Sequence, residues 1–468
     1  MNYYNKTFLS LPQFIETADP TYRTYRKTHI TTLHGRIESE VPTRCRSCGG
    51  LLHIHQNHTV KLKHIAVGRD LMELIVTYTR YICSDCRQMV SQEIPFKQPH
   101  HFMTKLYFRQ IMGHLSEGST PIQHVSKILH TNKHLVRTLD KQRLQTAAGD
   151  MRPTHQSRFI GVDEFSLHKH HRYATIVIDL ETGESLFVEA GNSEMQLHHF
   201  FDFVGREFMR GVKAISMDMN AQYDAAIRNR YPHIKVVFDP FHIVKNYNDR
   251  VISELRKREQ RRLRNDIDRA KRVGNVETAK ALVKEYKLYK HSRFVLLSNL
   301  KTLKAKDAAA KEHNQHLATE FECKGLSIPA GERKWSTTNE RRLQDVLSIN
   351  SDLQTTYVLL EMLKLSFTCR DPKVFTQDLE HWLAVARKTG LQELNGFCKM
   401  VEKRLQGIVN HAIYPISNGP LEGTNNLIKT IRRQAYGYRD QEYFFLKIWE
   451  ATRRNPKERS FELHRKTS

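Results

Sequence analysis

Tryptophan is nearly missing from this chain, with 3 in 468 residues, and proline is thin at 14. So little proline excludes a collagen-like repeat or a proline-rich linker protein. No apolar run approaches the roughly 20 residues that a membrane helix requires, so no transmembrane segment is expected. The opening Met1-Asn2-Tyr3-Tyr4-Asn5-Lys6 has no apolar stretch, and no secretory leader or lipid anchor is expected either. Cysteine numbers only 7, and 4 of these fall in two tight pairs, which argues against a disulfide scaffold and for a reducing compartment. Negative charge is the other deficit: 50 Asp and Glu face 74 Lys and Arg, for a formal charge of +24. Such an excess points to a polyanionic partner, nucleic acid first, over a merely basic soluble protein. Apolar residues still make up 39% of the chain, enough for true cores, and the length suits about three domains.

Among the residues present, the cysteine pairs come first. Cys45-Arg46-Ser47-Cys48 and Cys83-Ser84-Asp85-Cys86 are two C-x-x-C knuckles separated by 34 residues. Each knuckle turns tightly enough to aim two thiolates at one tetrahedral ion, so a structural zinc ribbon is expected over 41–98. Val60–Val67 and Leu71–Tyr78 read as its strands around a Gly68-Arg69-Asp70 turn. His53, His55, His58 and His64 lie between the knuckles and read as ordinary histidines more readily than as substitute ligands. Residues 1–40 show no clear period and stay unassigned. Over 99–150 two short amphipathic stretches, Ile122 to Leu129 and Leu135 to Leu139, flank a turn at His130-Thr131-Asn132. That pattern predicts an all-α helix-turn-helix, with Lys133, His134 and Arg137 facing DNA.

Next the period changes to strands. Phe159 to Phe165 and Arg172 to Asp179 are apolar and β-branched, and the first of them carries Asp163, a carboxylate that a buried strand would not hold without reason. Leu197, Phe200, Phe201, Val204 and Phe208 share a helix face and read as core. Val212 to Asp218 and Ile234 to Asp239 are further strands, each ending on a carboxylate, around a helix from Ala221 to Tyr231. Alternating strands and helices imply an α/β sheet, in which active groups gather at the carboxyl ends of strands. From 243 to 410 the pattern is almost wholly helical. It begins with the basic run Arg256-Lys257-Arg258 and Arg261-Arg262-Leu263-Arg264, which suits a solvated face or a phosphate contact. Trp335 and Trp382 read as packing residues there, and Cys323, Cys369 and Cys398 as small buried apolar ones. Ser417-Asn418-Gly419-Pro420 then starts a helix on which Glu422, Asn425, Asn426 and Lys429 share one face. A carboxylate, two amides and a cation make poor core and good equipment for a metal-phosphate site.

Three carboxylates suit in-line displacement at phosphorus. Two divalent ions about 3.5–4 Å apart activate the attacking oxygen and stabilise the leaving one, and hard oxygen ligands favour Mg²⁺ or Mn²⁺. Asp163 is the expected bridge between the ions, with Asp218 and Glu422 each holding one. Asp239 is the rival to Asp218; its Asp239-Pro240-Phe241-His242 start suits a helix cap as well as a supporting role for Asp239 and His242. Asp179 precedes a Glu181-Thr182-Gly183 turn and reads as a turn residue, and Glu164 points to the opposite sheet face from Asp163.

The knuckles, the helix-turn-helix, GVDEF, SMD, FDPFHIVK and SNGPLEGTNNLIKTIRRQAYGYRD, in that order from about 40 to 450, resemble bacterial insertion-sequence transposases of the ISL-three type. The resemblance implies an RNase H-like catalytic domain with a DDE triad of Asp163, Asp218 and Glu422. Its first part would span 155–242, a helical insertion 243–410, and a second part with the Glu helix 411–455, before a basic tail at 456–468. It also implies double-stranded DNA partners (terminal inverted repeats and a target), contacts from Asn425, Asn426, Lys429, Arg432 and Arg433, and a homodimer or larger assembly in the bacterial cytoplasm at the nucleoid. No membrane partner is expected. The His-rich loop Leu167 to His171 has no role in this scheme. The competing reading is a zinc-containing transcriptional regulator without catalysis. Knuckles and charge suit both; the strand-end and helical carboxylates suit only the first, and a structure-specific nuclease would share the chemistry without the strand-transfer target.

Overall fold

The computed structural model describes residues 11–38, 43–117, 120–153, 155–168, 172–323, 327 and 338–453. The chain forms two compact units, one of residues 1–152 with 424–468 and one of 153–423. Trp335 and Lys169 to His171 lie outside the described residues.

In the first unit, β1 (Phe14–Tyr25) and β2 (Thr28–Ile37) form a hairpin within the stretch the sequence left unassigned. β3 (Leu52–Val67) and β4 (Asp70–Cys83) form a second, joined through Gly68 at φ 58°, and the short β5 (Met89–Ser91) pairs with the end of β4. The strand order is β1-β2-β4-β3, and β2 runs parallel to β4. One face of this sheet buries Leu62, Leu74 and Val76 against Phe14, Leu33 and Phe96. Ile30, Ala66 and Leu71 pack with three helices, α1 (Lys105–Ser116), α2 (Ile122–Ile128) and α3 (Lys133–Ala148). Asn132 caps α3 by accepting the His134 N–H.

The second unit is built on a five-stranded mixed sheet in the order β10-β9-β6-β7-β8. β6 (Phe159–His168), β7 (Arg172–Asp179) and β8 (Ser185–Ala190) are an antiparallel meander. After α4 (Glu194–Gly211), β9 (Ala214–Met217) adds parallel to β6; after α5 (Ala221–Arg230), β10 (Lys235–Phe238) adds parallel to β9. The apolar stripe of α4 is buried at Leu197, Phe200 and Phe201, with Val204 and Phe208 partly so. The helical region follows: α6 (Pro240–Tyr247), α7 (Ser253–Arg272), α8 (Val276–Lys290), α9 (Arg293–Leu297), α10 (Leu300–Cys323), α11 (Asn339–Ser348), α12 (Ser351–Ser366), α13 (Pro372–Lys388), α14 (Gln392–Lys403) and α15 (Leu405–Ile413). Its apolar residues continue the sheet's core without a break, and Tyr247, Trp382 and Phe397 pack edge to face at its centre. α15 covers β10: Asn410 donates to the Val236 carbonyl, and Gly407 leaves room for the Phe238 ring.

α16 (Gly419–Gln434) starts in the second unit and its residues from Thr424 count with the first, as does α17 (Gln441–Thr452). The sequence had grouped 411–455 with the catalytic sheet. Packing explains the difference for α17: Tyr443 and Leu446 bury against Leu144 and Ala148 of α3. The fully buried Asp140 of α3 takes the Tyr443 hydroxyl at 2.6 Å, Arg143 at 2.7 Å and Lys447 at 3.3 Å. One further expectation needs correction. Cys323 is exposed and Cys369 half-buried, leaving only Cys398 of these three as a buried apolar cysteine. The basic run lies on a solvated face, with Lys257, Arg261, Arg262 and Arg264 exposed, and several of its cations are paired. Arg258 pairs with Asp352 and Glu393, Arg262 with Glu259 and Asp266, and Arg256 donates to the Tyr289 carbonyl.

Candidate active site and cysteine cluster

Strand register sets the acidic residues. Val162 of β6 pairs with Met217 of β9, and Met217 with Phe238 of β10. The next residue on each strand is Asp163, Asp218 and Asp239, so three carboxylates stand at one level across three adjacent parallel strands. Residues two back, Gly161 and Ser216, share their sheet face by strand alternation. The start of α16 docks on that face. Leu421 is fully buried, and its side chain fills the space where a Cβ on Gly161 would stand. Ser216 Oγ donates to Asn418 Oδ1 at 2.6 Å in a buried contact. Glu422 follows Leu421 and is exposed in the first turn of α16.

Electrostatics mark the same place. Burial pushes the Asp239 carboxyl above its usual range. The Phe241 N–H and His242 oppose this, while the charges of Asp218 and Asp163 push it further up. His242 lies between two of these groups, with Nδ1 3.6 Å from Asp218 and Nε2 4.0 Å from Asp239. Asp239 also caps α6 by accepting the Phe241 N–H, as its Asp-Pro start suggested. Glu164 accepts from Asn192 and Asn220, and Asp179 is tied into its turn by the N–H groups of Glu181 and Thr182 and by Ser157. The donor atoms of Asp163, Asp218 and Glu422 do not converge within 4.8 Å; among the described residues only the four cysteines form such a group.

Cys45 and Cys48 precede β3, while Cys83 ends β4 and Cys86 precedes β5. Their sulfurs all lie within 4.8 Å of one another, at 3.7 Å for Cys45–Cys86 and 3.4 Å for Cys48–Cys83. Gly49, at φ 77°, turns the first knuckle, and backbone N–H groups of Ser47 and Cys48 draw the Cys45 thiol down to about 7. The group could hold a metal ion. The intervening histidines stay out of it. His64 is buried on Thr104 at 3.0 Å, and His53 and His55 are exposed.

Of the residues expected to face DNA, Lys133 and His134 are exposed at the start of α3. Arg137 is held at 3.2 Å by Asp440 and lies over the Tyr443 ring. That partner was hidden from a local reading because it is distant in sequence. Asn426, Lys429 and Arg433 are exposed on α16, and Asn425 and Arg432 are half-buried.

The family profile of the ISL3-type DDE transposases, described as transposase, matches residues 160–448. The chain is 28% identical over 405 residues to the transposase for insertion sequence element IS1001 of Bordetella parapertussis, covering 86% of this chain and 87% of the relative. It is 23% identical over 285 residues to the transposase for insertion sequence element IS1557 of Mycobacterium tuberculosis strain CDC 1551 / Oshkosh, covering 61% and 58%. These matches make the protein a DNA transposase, an enzyme that cuts DNA and transfers the cut strand. It belongs to the ISL3 family of DDE transposases. The non-catalytic regulator is not favoured.

Proposed function

We propose that Asp163, Asp218 and Glu422 are the catalytic carboxylates of an RNase H-like domain interrupted by the helices of 243–410. The carrying observation is the docking of the start of α16 on Gly161 and Ser216, two residues before the two aspartates. The donor set suits Mg²⁺ or Mn²⁺: all oxygen, two at strand ends and one in the first turn of α16. Bound there, divalent ions would activate first a water and then the freed 3′-hydroxyl for attack at phosphorus. The chain's own part is positional. The Ser216–Asn418 bond fixes the end of α16, and His242 supports the Asp218 carboxylate beside a capped Asp239.

The cysteine group is read as structural zinc. A tetrahedral site with Zn–S near 2.3 Å separates its sulfurs by about 3.8 Å, which the observed pairs approach. α2 and α3 are read as a helix-turn-helix placing Lys133 and His134 in the major groove of the element's terminal repeats. Arg137 is shared with Asp440, so its contribution there is smaller than the sequence implied. A synaptic homodimer or larger assembly at the nucleoid completes the reading. The test is cleavage of a labelled duplex carrying the element's own flanking ends, with Mg²⁺ and with EDTA. Metal-dependent nicks that vanish in Asp163→Asn while end binding persists are expected; loss of binding in step with cleavage would overturn the assignment.

A further inference from the structure

α16 ends in a way that costs stability. The Gly437 N–H bonds to the Arg432 carbonyl at 2.9 Å and the Tyr436 N–H to the Arg433 carbonyl at 3.1 Å, the paired bonds of a Schellman motif. The left-handed position of that motif is ordinarily glycine, yet here it is Tyr436 at φ 55°, with glycine following it. A bulky residue there is strained, and burial does not offset it, since Tyr436 is 92% exposed. An aromatic ring is thus held in solvent at a backbone position that glycine would fill more cheaply.

Its surroundings give the ring a use. Tyr436 lines a cavity of about 410 Å³ within the first unit, together with Lys133, His134, Arg137, Arg439 and Lys447. Arg137 and Lys447 are neutralised by Asp440, Asp140 and Glu450. Lys133, His134 and Arg439 have no side-chain partner among the described residues. A cavity of this size takes a small-molecule-sized group. A stacking platform beside unpaired cations is the arrangement that holds an unstacked base and its phosphate. We infer that this cavity receives an unpaired nucleotide of the DNA substrate, its base on Tyr436 and its phosphate on Arg439. The inference rests on the transposase reading and adds a contact outside the carboxylate site.

The test uses the full chain and fluorescence anisotropy on two fluorescein-labelled DNAs: a blunt duplex of the element's end, and the same duplex with a single-stranded flank. Tyr436→Gly removes the ring and relieves the backbone, so its melting temperature should stay level or rise. It should bind the flanked duplex about tenfold more weakly and the blunt one within about twofold of wild type. Tyr436→Phe should bind both like wild type. Equal weakening on both duplexes, or none on the flanked one, would overturn the inference. Metal-dependent cleavage by the wild-type chain, run alongside, separates the two readings. Cleavage without discrimination by Tyr436→Gly removes the cavity assignment alone, and discrimination without cleavage removes the catalytic one alone.

Discussion

The cysteine group and the carboxylate group are built on opposite plans. Four sulfurs are brought within 4.8 Å by two knuckles whose backbone is fixed at Gly49 and at the β4–β5 pairing, and thiols can shed charge by staying protonated until an ion arrives. The sheet carboxylates stand on one level, and Asp239, raised chiefly by burial, is pushed further by the charges of Asp218 and Asp163. A site closed by the fold suits an ion that holds structure. One set on separate elements, strand ends and a helix start, is not closed by the fold in the same way.

That contrast can be broken at several points. The largest effect is expected from Cys45→Ser or zinc chelation, which should unfold the β3–β4 end of the first unit and abolish specific end binding. Structural zinc sites contribute on the order of 10 kcal/mol, and an unchanged far-UV circular dichroism spectrum would refute the structural role. Asp163→Asn or Glu422→Gln should lower strand cleavage at least about a thousandfold, equivalent to about 4 kcal/mol, with no loss of melting temperature in buffer without added Mg²⁺. Acid should act on the first unit through His64, whose ring burial lowers to about 4. The buried ring is neutral, so protons bind the unfolded chain first. Stability should therefore be full above about pH 6.5 and fall by about 3 kcal/mol as the pH drops toward 4, a slope that His64→Leu should remove in thermal melts. The smallest effect belongs to Asp239→Asn. Asparagine also caps a helix, and the lost charge relieves its neighbours, so stability without added Mg²⁺ should hold or rise by less than about 1 kcal/mol. A large fall would mean that Asp239 is chiefly a structural ion-pair partner.

Much of the sheet and both acidic strand ends were legible because their signals are local: β-branched runs, a carboxylate where burial forbids one, knuckles of fixed spacing. Residues 14–37 were not, since β1 is exposed along most of its length and shows no alternation. β2 takes its place by pairing with β4, some forty residues on. Arg137, Arg258 and Asp140 each find a partner 94 to 307 positions away, so charge counting along the chain could not show which cations were already satisfied. The level shared by Asp163, Asp218 and Asp239 follows from register, which only the paired strands reveal.

β1 is one of the two outer strands of its sheet, and its pairing with β2 slips between Glu16 and Ala18 and again before Thr21, around Pro20. Proline offers no N–H, and each slip takes neighbouring groups out of line, so the outer edge presents no continuous ladder to a second chain. The consequence concerns solubility. Copies of a protein gathered on one stretch of DNA meet at high local concentration, and this edge is shaped to resist stacking into a shared sheet there.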